Sequence, residues 1–124
     1  MNCFIKKGAI LVEDSQLLRG VLEGCVLAII KRGETYGYEI IAKLEASGFN
    51  NIQEGTLYPV LTRLEKKGLI TCRKAKSPFG PIRKYYSISK EGNVYYESFV
   101  ENFEKLVKAA NIAIKGGNQD EEQL

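Results

Sequence analysis

The chain has 124 residues, 44% of them hydrophobic and 27% charged, with a net charge of +3, three cysteines and no histidine; this is the make-up of one globular domain with a real but small core. The lack of histidine removes histidine general bases, Ser/His/Asp and Cys/His nucleophiles, and most catalytic zinc sets. Cysteines at positions 3, 25 and 72 form neither a CxxC ligand pair nor an even disulfide framework.

Residues 1–16 read as an N-terminal extension. Lys6 and Lys7 precede an apolar run, Ala9 to Val12, too short for a secretory leader. A first helix is expected after Asp14 or Ser15, either able to cap it, and runs to about Arg32. Leu18, Leu22, Cys25 and Ile29 form its stripe, with Val21 and Ala28 beside it. Its Cys25–Ile30 segment is the longest apolar run, six residues, well short of the ~20 that span a bilayer. The chain is therefore read as cytoplasmic. Because that segment is apolar nearly all round, it calls for cover on two sides, once by its own domain and once by a partner subunit. Gly20 and Gly24 read as a close helix-packing pair. Cys25 is read as an inert core thiol with a redox sensor as the alternative, and Cys3 as exposed.

A second helix starts near Gly37, holds Ile40, Ile41 and Leu44 inward and ends at Gly48. After a short turn, Leu57, Val60, Leu61 and Leu64 make the i, i+3, i+4, i+7 stripe of a third helix. Pro59 cannot donate to the Gly55 carbonyl, so that helix is expected to begin at Gly55 or as late as Thr56; Gly68 stops it. An alternating strand from Ile70, with Cys72 facing inward, leads to a Ser-Pro-Phe-Gly-Pro turn and a second strand, Ile82 to Ile88. In that strand Tyr86 is read as core and Tyr85 as pointing away. Ser89 caps a last helix whose Tyr96, Val100, Phe103, Val107, Ala110 and Ile114 follow a heptad seam, widened by Tyr95, Phe99 and Leu106. One stripe would suffice for packing on its own domain, so two rows point to a dimer helix. From Gly116 the chain is polar and acidic and is expected to fray.

The fold class that follows is mainly α with a small β wing: a winged helix-turn-helix over 17–88, a C-terminal dimerisation helix over 89–115 and a flexible acidic tail over 116–124. Charge is sorted to match. Between Gln53 and Ile88 lie eight basic residues (Arg63, Lys66, Lys67, Arg73, Lys74, Lys76, Arg83, Lys84) and two acidic ones (Glu54, Glu65), so that this block carries +6 and the remainder −3. A polyanion is the partner such a block suits.

GETYGYEI (Gly33 to Ile40), EGTLYPVLTRLEKKGLI (Glu54 to Ile70) and GPIRKYYSISKEG (Gly80 to Gly92) resemble, in order and spacing, the hallmarks of PadR-type transcriptional regulators. The resemblance runs from about Leu17 to about Ile114 and is closest to the compact subgroup with a single C-terminal helix. It implies a homodimeric repressor bound to an inverted-repeat DNA operator, with the last helix supplying the dimer contact. It also implies relief by a small hydrophobic or aromatic effector near the dimer interface. Related regulators stack planar ligands on tryptophan, and this chain has none; Tyr95, Tyr96, Phe99 and Phe103 are the aromatic residues able to line such a pocket.

Recognition helices present their N-terminal residues to the major groove, here Gln53, Glu54, Gly55, Thr56 and Tyr58, with Thr62 and Arg63 one turn on. Gln pairs with adenine, Glu accepts from cytosine and Arg grips guanine. Gly55 and Pro59 leave the outward backbone bare. Lys66, Tyr38 and the wing residues Lys74, Lys76, Arg83 and Lys84 are expected on phosphates or in an adjacent minor groove; of Tyr36 and Tyr38 at least one is expected to pack. The dimer interface is expected to draw on Leu18 and Leu22 besides the Tyr96–Ile114 seam. No metal, cofactor or membrane is called for. The alternative function is a winged helix that binds an acidic protein and no DNA, which has no need of so many cations around a Pro-Gly turn. An enzyme is disfavoured, because no nucleophile has a neighbouring base.

Overall fold

The computed structural model describes residues 10–11 and 15–116. The elements run β1 (Ile10–Leu11), α1 (Ser15–Lys31), α2 (Gly37–Ala46), β2 (Phe49–Asn50), α3 (Glu54–Lys66), β3 (Ile70–Lys76), β4 (Ile82–Ile88) and α4 (Lys90–Lys115). Cys3, the Asp14 cap and the tail beyond Gly116 lie outside the described residues.

One core cluster joins the three helices of the helix-turn-helix to the base of the wing: Leu22, Val26 and Ile30 from α1, Ile40 and Leu44 from α2, Leu57, Leu61 and Leu64 from α3, and Ile70 and Tyr86 from the strands. The α3 stripe is buried at all four expected positions. At the end of that helix Gly68 takes φ 76°, and the Leu69 and Gly68 amides donate to the carbonyls of Leu64 and Glu65. Two otherwise orphaned acceptors are thereby satisfied and the chain is aimed into β3. The helix begins at Glu54, earlier than Pro59 suggested, with extended Gln53 as its N-cap.

β3 and β4 pair antiparallel with Ile70 opposite Ile88, Cys72 opposite Tyr86 and Lys74 opposite Lys84. Two pairings escaped the sequence reading. Thr35 exchanges both backbone hydrogen bonds with Tyr86, so the α1–α2 loop adds a third rung beside β4, and β1 pairs parallel with β2, which ties residues 10–11 of the expected extension to the turn before α3.

Burial of Tyr86 holds its phenol pKa up at about 12. Between the ordinary tyrosine value near 10 and that value, the unfolded chain loses this proton while the folded one keeps it. Stability is therefore full below about pH 10 and falls as pH rises toward 12, by about 2 kcal/mol from this group. Urea midpoints at pH 8 and pH 11 should converge in Tyr86→Phe relative to the parent; an unchanged difference would acquit Tyr86.

α4 opens as expected. Ser89 Oγ accepts from the Gly92 amide at 2.9 Å and donates to the Gly68 carbonyl at 2.6 Å. Its first half lies on α1, where the Phe99 ring occupies the space a Cβ on Gly24 would need, Lys31 donates to Asn93 and Tyr96 packs against the core. The second cover over the apolar Cys25–Ile30 segment is therefore α4 of the same chain, which corrects the expectation of a partner there. Gly20, by contrast, faces open space. Cys25 and Cys72 are half-buried free thiols, and desolvation pushes the Cys25 thiol above its ordinary pKa.

Candidate nucleic-acid interface

Cations of the central block fall into two sets. Arg63 Nε and Lys67 Nζ both reach Glu23 on α1 at 3.2 Å, and Arg73 clamps Glu34 through Nε and Nη2 at 2.7 and 2.8 Å, a contact that holds the Glu34 carboxyl below its usual range. Lys66, Lys74, Lys76, Arg83 and Lys84 have no carboxylate partner among the described residues. Arg63 on α3 and Lys67 at its C-cap converge on a carboxylate that is only 12% exposed, through Nε alone in the case of Arg63, whose side chain is 47% exposed.

Three of the five unpaired cations share one face of the ribbon. Beyond Cys72 and Tyr86 the inner face of the ribbon continues as the directly opposed Lys74 and Lys84, then Lys76 opposite Ile82. Like charges directly across a ladder oppose pairing, so this face is destabilising until an anion neutralises it. On the other face Arg73 lies 4.8 Å over the Tyr85 ring, Tyr85 meets Tyr36 edge-on at 5.9 Å, and Arg83 stacks 4.0 Å over Tyr36. That ladder fastens the wing to the α1–α2 loop, and it puts Tyr36 in the packing role and leaves Tyr38 exposed.

Wing, α2 and α3 enclose a cavity of about 460 Å³, lined by Tyr36, Tyr38, Tyr58, Phe79, Arg83 and Lys84 among others. Gly37 lies beside it, where a Cβ would sit 2.7 Å from the Tyr58 hydroxyl and push that side chain aside. Both helix N-termini at this face, after Tyr36 and after Gln53, lack a side-chain cap. Their first amides are left for another acceptor, whereas α4, away from this face, is capped. Gln53, Glu54, Gly55, Pro59 and Lys66 are exposed on α3 and Thr56 is half-buried. A Cβ on Gly55 would meet nothing within 4 Å, so its bareness serves the outer face and not internal packing. The Glu54 carboxylate beside the Tyr38 hydroxyl raises the phenol pKa. Thr62 spends its hydroxyl on the Tyr58 carbonyl at 2.9 Å.

A family model described as "Transcriptional regulator PadR-like family" matches residues 26–98. The chain belongs to this PadR-like family. Its members are DNA-binding transcriptional regulators and not enzymes. A solved Streptococcus transcriptional regulator is 44% identical with a TM-score of 0.71, over 82% of this chain and 98% of its own. A PadR-like transcriptional regulator from Bacillus cereus strain ATCC 14579 is 42% identical, with the same TM-score and coverages. An uncharacterized protein of Lysinibacillus sphaericus is 33% identical over 82% of this chain and 95% of its own length. The transcriptional regulator YqjI of Escherichia coli strain K12 is 30% identical over 73% of this chain; the match spans 44% of that longer protein. The winged helix-turn-helix expected from the order of the elements is thus the fold of the PadR-like chains.

The other predicted sets are divided by the structure. Leu18 and Leu22 lie in this chain's own core; the stripe they share with Ile29 is spent inside the subunit, which corrects their placement at a dimer interface. Tyr96 and Val100 are half-buried. Beyond them, every residue from 101 to 116 is exposed except half-buried Ile112, so Phe103, Val107, Ala110 and Ile114 have little cover from their own chain. Tyr95, Phe99 and Phe103 line a groove of about 400 Å³ with Leu17, Gly20 and Leu106. Tyr96 does not line it, because its ring turns to α1 beneath Lys31. Among the described residues no helix is long and apolar enough to cross a membrane.

Proposed function

We propose that the protein is a dimeric, sequence-specific repressor that works in the cytoplasm on an inverted-repeat operator and is released by a small hydrophobic or aromatic effector. The observation that carries the DNA face is the opposed Lys74–Lys84 pair beside two uncapped helix N-termini: a protein surface arranged against itself in water and satisfied by phosphates. Gln53, Glu54, Gly55, Thr56 and Tyr58 enter the major groove, with Tyr38 beside the Glu54 carboxylate. Lys66, Lys76 and Arg83 hold the backbone. Phe103, Val107, Ala110 and Ile114 form the subunit contact, and the α1–α4 groove, with Tyr95, Phe99 and Phe103 in its wall, takes the effector next to it.

The test is a salt titration of DNA binding. For Lys74→Ala/Lys84→Ala the slope of log affinity against log salt should become shallower by roughly 2 per subunit, at about 0.9 for each phosphate no longer neutralised. Thermal stability should hold or rise slightly, because a cross-strand repulsion is removed. A parent slope retained in the double variant would take the wing off the DNA.

A further inference from the structure

The wing carries an apolar tip that phosphate contacts leave unused. Phe79 is 85% exposed and Ile82 70% exposed, on either side of Pro81, and the cations Lys74, Lys76, Arg83 and Lys84 follow directly along the two strands. Single exposed apolar residues are common. What sets this one apart is that the backbone of its turn is fixed. Ser77 is buried, its amide donates to the Pro81 carbonyl at 2.8 Å, its carbonyl accepts from Gly80 at 3.0 Å, and its hydroxyl accepts from the Phe79 amide at 3.3 Å. Gly80 supplies the φ of 105° that closes the turn, and Pro78 and Pro81 fix their own φ. Lower down, the Arg83–Tyr36 stack locks the ribbon to the α1–α2 loop. The backbone beneath an exposed aromatic ring is therefore set in position relative to α3, so that contact has to order the side chain but not the turn.

We infer that Phe79, backed by Pro81 and Ile82, is a minor-groove wedge that enters a base step beside the half-site read by α3 and kinks the duplex. Apolar side chains inserted between base steps partly unstack them and bend DNA toward the major groove. The energetic cost is lowest at pyrimidine–purine steps such as TA and CA/TG. The cations behind the tip offset the phosphate repulsion that a narrowed or bent backbone creates. The wedge thus adds sequence preference at a step that no hydrogen-bonding side chain reads. The inference rests on the DNA-binding reading above.

The experiment selects duplexes from a random 30-base-pair library, once with the full chain and once with Phe79→Ala, and then measures energy transfer between dyes on the two ends of the selected duplex. The parent should enrich a flexible pyrimidine–purine step at a constant distance from each half-site, and 2-aminopurine placed there should brighten on binding. Phe79→Ala should keep the half-sites, lose the step and the brightening, straighten the duplex, and bind the parent's selected duplex roughly tenfold more weakly with an unchanged salt slope. Phe79→Leu should retain much of the bend. Identical steps and identical transfer in parent and Phe79→Ala would overturn the wedge while leaving the regulator reading intact. A parent that enriches no sequence at all would overturn both. Since the side chain is exposed, folding is not at stake, and a matching melting curve establishes that.

Discussion

Phe103→Glu is expected to convert the protein to a folded monomer that has lost roughly 10²- to 10⁴-fold in operator affinity. The ring is 36% exposed within its own chain, stacked on Phe99 at 5.8 Å, in the part of α4 that its own domain leaves bare. A carboxylate there meets water in the monomer and an apolar seam in the proposed dimer, where an unpaired charge is costly. Dissociation relieves that cost. Operator affinity then falls although no DNA contact has been touched, because two half-sites about 34–36 Å apart need two linked reading helices. Sedimentation and operator binding together decide the matter: a Phe103→Glu dimer of parent affinity would mean that subunits meet elsewhere.

Gly92→Ala should be strongly destabilising. A Cβ at that position would come 2.0 Å from the Leu69 carbonyl oxygen and 2.7 Å from Ile88 Cγ1. The Leu69 oxygen has little room to retreat, since it accepts from the Ser89 amide at 3.0 Å, and the same turn is held by the Ser89 hydroxyl on Gly68. Either α4 lifts off its seat or the cap breaks, at a cost of about 2–4 kcal/mol, read from urea unfolding. Gly20→Ala is the matched control. It sits in an exposed stretch of α1 with nothing near a new methyl, so helix propensity alone should raise stability by about 0.5–1 kcal/mol. Equal effects of the two substitutions would show that the α4 seat is softer than its geometry implies.

Periodicity and cap chemistry are local properties of a chain, and they carried the element order well. The α3 stripe at Leu57, Val60, Leu61 and Leu64 is buried throughout, Gly68 stops the helix through backbone conformation alone, and Ser89 caps α4 with the bond its position offers. The family was legible because three motifs occur together in order, over Gly33 to Ile40, Glu54 to Ile70 and Gly80 to Gly92. The sorting of charge gave the interface its location but not its membership. Arg63, Arg73 and Lys84 look alike in sequence, and it took the approach of Glu23 and Glu34, forty and thirty-nine residues away from Arg63 and Arg73, to pair the first two while leaving Lys84 unpaired. Likewise an apolar stripe states that a face needs cover without naming what covers it. Leu18 and Leu22 went to the chain's own core, the Cys25–Ile30 segment was roofed by α4, and the far turns of α4 were left without cover. Which surface closes on which depends on helix crossing and on the one place, Gly24, where a missing side chain admits the Phe99 ring; both are relations between segments far apart in the chain.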